Sequence, residues 1–477
     1  MYSSLKQFKP KMLTLLSLYF IFITAAFAVI TPPNGGPDEL HHARSAWYLF
    51  ENPEKLFDNQ NFVEYSFPKS LLIDQDSEKG LKPCLPQSQA TTLHCWNSPE
   101  TERAEARAMI LYYSPLYYIT IGFFQNLSVF DNPVQDGRLG NQILVFALVG
   151  AAFYILQRSL NSKSMLSLCW VLTPPVVFLG SVINPSSFEI ASLLLVLAYV
   201  ISIRKNAFVD RDFYPVLLLS QIVFVMSRPI SFIWLLLAML LICRPTTLRF
   251  ALIHGVIPVA IGLIVNLSLN NRSWSLNPNS KFSVSSEFYI EETIRVILNS
   301  GNWIFTIIGH LGWTEITMPL ILIFMNISVV VYVYTRYWKP EYSKFQQILI
   351  FSIGIFVVPL LVSIPYAANW PMWWSGRYSL PFFVAFFTFT LKDLTSGHLT
   401  MFRLGTLNLL VMLVLTFWRY NWGLYPTNTP IIANGVQLPM TRILLFLLIT
   451  IFWVGVFFCI NRKLTETRIS VDPGIVV

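Results

Sequence analysis

The residues best suited to chemistry lie in the hexapeptide 37–42, whose sequence is Pro-Asp-Glu-Leu-His-His. Residues 31–36 contain prolines and glycines that end an apolar segment, so Asp38 can begin a new helix and cap its first turn. On this helix Asp38 lies four residues before His42, and Glu39 lies three before it, so each pair shares a face. A carboxylate with a histidine one turn away can act as a general base or bind a divalent metal.

A simpler alternative is that Asp38 only caps the helix and that its neighbours are solvated. Two adjacent carboxylates at a membrane surface are costly unless they are paired or used, which favours a functional role. We therefore predict that Asp38, Glu39 and His42 are catalytic. A divalent metal remains an open alternative cofactor, but no second cluster has a defined spacing and no Cys/His pattern resembles a zinc site, so we assign no metal ligand.

The composition indicates that these residues are positioned by membrane-spanning helices. Only 12% of the 477 residues are charged, where about 25% is usual for soluble domains, and 54% are hydrophobic. These values exclude a disordered chain and a small disulfide-stapled secreted fold. The net charge of +8 comes from short basic clusters between apolar runs, which are typical topology signals. We therefore expect an all-α polytopic membrane protein that does not bind nucleic acid.

The basic clusters predict the topology. If all of them are cytoplasmic, the chain has about twelve spans and both termini are inside. The predicted spans are 12–30, 139–156, 165–181, 187–202, 213–227, 229–243, 250–270, 317–335, 345–365, 378–391, 404–418 and 441–460. The predicted regions are a first anchor (1–30), an extracytoplasmic loop (31–138), a transmembrane bundle (139–270), a second extracytoplasmic loop (271–316), and a C-terminal bundle with a short cytoplasmic tail (317–477).

Segment 109–130 does not fit this alternation. It is apolar enough to span, but a crossing here would move the later basic loops outside. We predict that it lies along or dips into the outer face, where its tyrosines suit an interfacial helix. The alternative is that 109–130 is an ordinary span and that another span has been assigned wrongly. Spans 213–227 and 229–243 are the weakest assignments, because each is short.

Two processing features belong to the first anchor and the loop that follows it. The anchor resembles a signal peptide, with three lysines before an apolar run and Ala-Phe-Ala at 26–28. We expect an uncleaved anchor, because the hexapeptide that follows would benefit from being held at the membrane. Cys84 and Cys95 lie in the first extracytoplasmic loop, where an oxidising compartment favours a disulfide between them.

Several motifs in order resemble one family. The Pro-Asp-Glu-x-x-His pattern after the first span is similar to that of a family of predicted bacterial membrane proteins of unassigned function, commonly grouped with the GT-C glycosyltransferases. Further matching segments are 113–118 (Tyr-Ser-Pro-Leu-Tyr-Tyr), 184–185 (Asn-Pro), 311–313 (Leu-Gly-Trp) and 376–381 (Gly-Arg-Tyr-Ser-Leu-Pro). There are two departures. Ser186 replaces the family's Asp, with Glu189 three positions later, and the segment around Arg228 replaces its Lys-x-x-Tyr.

The resemblance implies a GT-C-like glycosyltransferase that takes a sugar from a polyprenyl-phosphate donor. Asp38 would fill the role of the acidic residue in the first outer loop. The attacking hydroxyl needs a base and the leaving phosphate needs positive charge, which arginine supplies well. A snorkelling role beside interfacial tryptophans is the alternative for Arg377. The candidate substrate- or phosphate-binding residues are Arg377, Arg228, Arg138, Glu189, Tyr117 and Trp374.

The implied partners are a lipid-linked sugar donor, an envelope glycan, lipid or protein acceptor, and membrane lipids. The implied location is the bacterial inner membrane, with the active site on the extracytoplasmic side. Two other functions stay open. One is a transporter or flippase of lipid-linked glycans, which would need polar residues along a central path. The other is a non-catalytic envelope assembly protein.

Overall fold

The computed structural model describes most of the helical part of the chain. It covers residues 2–32, 35–57, 62–68, 71, 103–109, 115–130, 132–204, 213–228, 230–242, 254–264, 291, 294, 298, 305–311, 316–337, 344–361, 376–391, 394, 396–422 and 440–471. These residues are mostly helical, as the composition predicted.

The first part of the chain combines helices with a two-stranded sheet. Its elements are α1 (Tyr2–Ile30), α2 (Glu39–Glu51), a 3-10 turn (Pro53–Phe57), β1 (Phe62–Pro68), β2 (Arg103–Met109), α3 (Pro115–Gln125) and α4 (Pro133–Ser159). The strands are antiparallel, with Phe62 opposite Met109 and Pro68 opposite Arg103. Helix α3 has eleven residues, or about 16 Å at 1.5 Å per residue, which is too short to cross a bilayer core of about 30 Å.

The remaining elements are short and long apolar helices. They are α5 (Ser162–Val171), α6 (Pro174–Ser181), α7 (Pro185–Arg204), α8 (Phe213–Val225), α9 (Ser231–Ile242), α10 (His254–Ile264), β3 (His310–Leu311), β4 (Ile316–Thr317), α11 (Leu320–Tyr337), α12 (Lys344–Ser352, followed by a π-helical turn at Ile353–Val357), a 3-10 turn (Gly376–Ser379), α13 (Leu380–Leu391), α14 (His398–Trp422) and α15 (Met440–Val471).

Proline and asparagine mark several helix starts. Helices α3, α4, α6 and α7 begin with proline, which suits a first helical position because no intrahelical amide bond is needed there. Asn132 caps α4 by accepting hydrogen bonds from the amides of Val134 at 3.0 Å and Gln135 at 3.3 Å. These caps define where α4 enters the bundle, and Arg138 follows within two turns.

The described residues contain six helices that are long and apolar enough to cross a membrane, or seven if one bent pair is a single span. The six coincide with the predicted spans 12–30, 139–156, 187–202, 317–335, 404–418 and 441–460. The predicted span 165–181 corresponds to this bent pair, α5 and α6, which meet at an angle of 73° and so form either a broken span or a re-entrant segment. The chain is thus a multi-pass helical membrane protein.

Helix α7 lies at the centre of the bundle. Its apolar stretch Pro185–Ile203 is 89% buried, whereas Thr441–Arg462 of α15 is 17% buried. It contacts α4, α6, α8, α9 and α13. Helix α1 packs against α4, α6, α14 and α15, and its buried Tyr19 hydroxyl bonds to Thr406 Oγ1 at 2.9 Å. The first segment is therefore part of the bundle core.

Helices α2 and α3 share a second apolar cluster with β1 and with the ends of α4 and α7. Ala46, Trp47, Phe67, Tyr118 and Ile121 are among its buried residues. A Cβ at Gly122 would collide with the Ala46 carbonyl oxygen and with Phe50, so glycine allows α2 and α3 to approach closely. This packing fixes α2 at one end of α4 and α7.

Candidate functional site

The turn between α1 and α2 places Asp38 at the start of α2 in a left-handed backbone conformation, with φ 58° and ψ 10°. The sequence analysis allowed its side chain to cap the helix, but the carboxylate makes no capping hydrogen bond. A capping side chain normally needs an extended backbone at this position. The carboxylate instead reaches a partner far away in the sequence.

Asp38 pairs with Arg377. Its Oδ2 accepts a hydrogen bond from Nη2 of Arg377 at 2.8 Å, and the side chains of Asp38 and Arg377 are 28% and 13% exposed. Arg377 lies in the 3-10 turn just before α13, and the same Nη2 donates to the Tyr378 hydroxyl at 3.2 Å. The pair therefore joins the start of α2 to the start of α13, at a position that water can reach.

A second arginine approaches the same tyrosine ring. Arg228, in the turn between α8 and α9, has its guanidinium carbon 4.9 Å from the Tyr378 ring centroid, and that of Arg377 lies 5.1 Å from it. Arg228 Nη1 also donates to Ser186 Oγ. We call Asp38, Arg228, Arg377 and Tyr378 the Tyr378 cluster. It brings together three residues that the sequence analysis had singled out separately.

Glu189 lies one helical turn after Ser186 on α7. Its Oε1 accepts a hydrogen bond from Ser231 Oγ at 2.7 Å, and both side chains are buried. The turn between α8 and α9 is thus tied to α7 twice, by Arg228 to Ser186 and by Ser231 to Glu189. Ser186 therefore receives the Arg228 contact, and Glu189 receives the contact from Ser231.

Glu39 and Arg138 form a buried ion pair. Arg138 Nε and Nη2 each donate to the Glu39 carboxylate at 2.7 Å, and their side chains are 0% and 1% exposed. Arg138 also donates to the carbonyl oxygens of Thr31 and Pro32 at 2.6 Å. Glu39 in turn accepts from the amides of Gly36 and Ile183 at 3.1 Å. These bonds hold the turn that precedes Asp38.

The surroundings of this pair give both groups a positioning role. We predicted Glu39 as catalytic and Arg138 as a phosphate-binding residue. In the structure each satisfies the other's charge inside the protein, where a substrate would have to break a bidentate contact. Glu39 and Arg138 therefore hold Thr31, Pro32 and Gly36 on either side of the α1–α2 turn, and the carboxylate that is partly exposed is that of Asp38.

His42 lies fully inside the protein. Its Nδ1 is 2.9 Å from the Tyr118 hydroxyl. Burial lowers the pKa of His42 well below its usual value, and the positive charges of Arg228 and Arg377 lower that pKa further. His42 is therefore a neutral imidazole at neutral pH. Its ring is hydrogen-bonded to the Tyr118 hydroxyl. Protonation of the ring would be unfavourable, because it would add a positive charge near two guanidinium groups.

Tyr117 is also buried, although it had been predicted to contact substrate. Its hydroxyl donates to Asn141 Oδ1 at 3.0 Å. Asn141 Nδ2 donates to the carbonyl oxygens of Gly180 at 3.0 Å and Val182 at 2.7 Å. This network ties α3 to α4 and to the end of α6, so Tyr117 contributes to the frame that positions the site.

Three predicted residues, Cys84, Cys95 and Trp374, lie outside the residues that the structure describes. The donor set at the site does not fit a divalent metal held by Asp38, Glu39 and His42, because both carboxylates already bind guanidinium groups. The described part of the chain contains no group of three or more His, Cys, Asp or Glu side chains placed to hold a metal ion.

Tyr378 and Tyr118 are the site residues that sequence reasoning did not single out. Tyr378 is flanked by both arginines, and Tyr118 contacts His42. Each lies in a segment that had been noted as a motif, next to Arg377 and Tyr117. The adjacency of an arginine and a tyrosine in 376–381 was the available signal, but only the fold brings Arg228 to the same ring.

Comparison with known proteins gives the family. A family model described as "Predicted membrane protein (DUF2142)" matches residues 20–386, which include the α1–α2 turn, α7 and the Tyr378 cluster. No curated protein and no solved structure matches the chain. Because the matched residues cover well over half of the sequence, the chain belongs to the DUF2142 family of predicted membrane proteins.

Proposed function

We propose that the protein is a membrane glycosyltransferase of the GT-C type that moves a sugar from a polyprenyl-phosphate donor to an envelope glycan, lipid or protein. The observation that carries this proposal is the Tyr378 cluster. It combines one partly exposed carboxylate, Asp38, with two guanidinium groups, Arg377 and Arg228, around one aromatic ring. A base and an anion-binding pair are the two elements that transfer from a phosphate ester requires.

The proposed reaction uses only these side chains. Asp38 accepts the proton of the acceptor's hydroxyl group. At the same time the oxygen of that hydroxyl group forms a bond to the anomeric carbon of the donor sugar. The bond from that carbon to the phosphate oxygen breaks, and the phosphate leaves with the electron pair. Arg377 and Arg228 stabilise the charge that develops on the leaving phosphate.

The proposal includes the membrane arrangement. We propose twelve spans in the bacterial inner membrane, with both termini in the cytoplasm and the α1–α2 turn at the extracytoplasmic face. Segment 109–130 then stays on that face without crossing, because a crossing there would move the later basic loops outside. Lipid-linked donors would reach the Tyr378 cluster from the outer leaflet.

The test is complementation of a deletion strain followed by glycan analysis. Asp38→Asn removes the base without adding bulk, and asparagine tolerates a left-handed backbone well. We expect loss of the sugar from the envelope product at unchanged protein level. Glu51→Gln is the matched control, because Glu51 lies at the other end of α2 and pairs with Arg103. Full glycan levels with Asp38→Asn would contradict the proposal.

A transporter of lipid-linked glycans is the second candidate, and the α5–α6 break favours it. Helices interrupted inside the membrane form substrate sites in many transporters, and here Thr173 at the break donates to the Ile307 carbonyl at 3.1 Å. Proteoliposomes loaded with labelled polyprenyl-phosphate sugar separate the two functions. Net crossing of the label without transfer to an acceptor would favour transport.

A further inference from the structure

The two ion pairs at the start of α2 differ in how easily a ligand could replace one partner. Glu39 and Arg138 are at most 1% exposed and share two hydrogen bonds, with further bonds to the backbone. Asp38 and Arg377 share one hydrogen bond of 2.8 Å and are 28% and 13% exposed. Water and a ligand can therefore reach the Asp38–Arg377 pair more readily than the Glu39–Arg138 pair. The Asp38–Arg377 contact is the exchangeable one.

The surroundings of Arg377 suit a phosphate group. Arg377 and Arg228 lie on the same ring, with guanidinium carbons 5.1 and 4.9 Å from the Tyr378 centroid. A phosphate beside this ring meets the positive charge of both arginines, and it can accept more charge-assisted hydrogen bonds than the single one that Asp38 accepts from Arg377. A phosphate therefore competes well with Asp38 for Arg377.

We propose that Asp38 occupies an anion site on Arg377 and Arg228 when no ligand is bound, and that the phosphate group of a lipid-linked ligand displaces it. The identity of the ligand rests on the proposed function, but the displacement concerns binding alone. In the proposed reaction it also has a consequence. The donor phosphate would release Asp38 from its counter-ion at the moment when a base is needed, so that the carboxylate accepts a proton only in the loaded site.

If Asp38 positions Arg377 instead of competing with the ligand, removing its charge should change phosphate affinity in the opposite direction. If Asp38 only holds Arg377 in place, removing its charge misplaces the arginine and weakens phosphate binding. If Asp38 competes with the ligand, removing its charge strengthens binding. The backbone allows a clean comparison, because φ at position 38 is 58°, a region that asparagine and glycine adopt readily. Asp38→Asn and Asp38→Gly both remove the charge without straining the turn.

The experiment measures binding of a ten-carbon isoprenyl phosphate to the full-length purified protein by titration calorimetry. We expect Asp38→Asn and Asp38→Gly to bind about three- to tenfold more tightly, as the loss of one partly exposed competing ion pair implies. Arg377→Gln should bind at least about tenfold more weakly, because it loses charge-assisted bonds to the phosphate. Glu51→Gln should match the wild type. Monodisperse elution and an unchanged unfolding temperature establish that each variant is folded.

Two further probes separate the source of the phosphate. Inorganic phosphate should compete with the isoprenyl phosphate, because both present the same group, and the isoprenyl phosphate should bind more tightly if the ligand is a lipid. Weaker or unchanged binding of the two Asp38 variants would overturn the displacement proposal. Such a result would leave the glycan test of Asp38→Asn as a separate measure of the proposed function, since that test does not depend on the sign of a binding change.

Discussion

Asp38 and Glu39 are neighbours in sequence, yet their carboxylates lie in different environments. The left-handed backbone at Asp38 turns its side chain towards Arg377, at a partly exposed position. Glu39, one residue later, enters the protein interior and meets Arg138. At the scale of residues, two carboxylates that are adjacent in sequence therefore differ in burial, and only that of Asp38 is partly exposed.

The buried pair leads to a stability prediction. Arg138→Met or Glu39→Gln should lower the unfolding free energy by about 3–5 kcal/mol, because removal of one partner leaves a buried charge unpaired. Thermal unfolding in detergent measures this change. Glu54→Gln is the control, since Glu54 is exposed in the 3-10 turn after α2 and an exposed charge contributes at most about 1 kcal/mol. Equal losses at Glu39 and Glu54 would contradict the buried arrangement.

His42 predicts how stability depends on pH. Its pKa is lowered in the folded state, mainly by burial, so below about pH 6.5 the unfolded chain binds a proton that the folded chain does not. This contribution to stability is complete above pH 6.5 and is lost as the pH falls towards the lowered pKa. Unfolding temperatures measured from pH 7.5 to 5 should decrease less in His42→Gln than in the wild type. Tyr118→Phe is the control, because it keeps the buried imidazole and should keep the wild-type slope; parallel curves for all three proteins would refute the assignment.

The sequence predicted the residue types of the site better than their contacts. Asp38, Arg228 and Arg377 were singled out because charges are scarce and costly in such a chain. Asp38 and Arg377 are 339 positions apart, so no spacing rule could pair them. Similarly, Glu39 and Arg138 had been given separate chemical roles, because only the packing of α2 against α4 shows that each neutralises the other.

At the scale of elements, the predicted spans were most accurate where apolar runs were long. Segment 165–181 was read as one span, yet it bends by 73° between α5 and α6. The cause was present in the sequence, since Pro174 and Pro175 remove two backbone donors and disfavour a helical conformation at Thr173. The span was predicted from the hydrophobicity of the whole segment, which does not register the effect of two prolines on the backbone.

The close contact of α2 and α3 gives a prediction about glycine. Gly122→Ala should lower the unfolding free energy by about 1–3 kcal/mol, because the added Cβ collides with the Ala46 carbonyl and Phe50. Gly150→Ala on α4 is a matched control, since no atom lies within 4 Å of its added Cβ; it should be neutral or stabilise by up to about 1 kcal/mol. Denaturation of both variants in the same detergent tests this contrast, and a loss at Gly150 as large as at Gly122 would show that the close contact with α2 is not what makes Gly122→Ala destabilising.

At the scale of the whole molecule, the outer surface of the helical bundle is apolar, as expected for a protein surrounded by lipid and not by water. The central helix α7 is buried, whereas α15 exposes Leu444, Leu448, Ile451 and Phe458. Such an exposed apolar surface suits contact with lipid tails. Asp38, Arg228 and Arg377 instead lie at the ends of helices, where α2 and α13 meet the turn between α8 and α9.

The number of crossings decides on which side of the membrane this site lies. Twelve spans place both termini in the cytoplasm, whereas a thirteenth crossing through 109–130 would move the C-terminus outside. Glu54 is exposed in the 3-10 turn after α2, so Glu54→Cys in a cysteine-free background reports on the loop between α1 and α4. We expect an impermeant maleimide to label it in intact cells, while a reporter that fluoresces only in the cytoplasm should be bright when fused after Val477. Labelling at position 54 with a dark C-terminal fusion would mean an odd number of crossings. With the other spans unchanged, a crossing through 109–130 would put Asp38 on the opposite side of the membrane from Arg228 and Arg377, although these residues lie in one cluster. It would also turn the basic loops outward, against the bias that positions such loops in the cytoplasm.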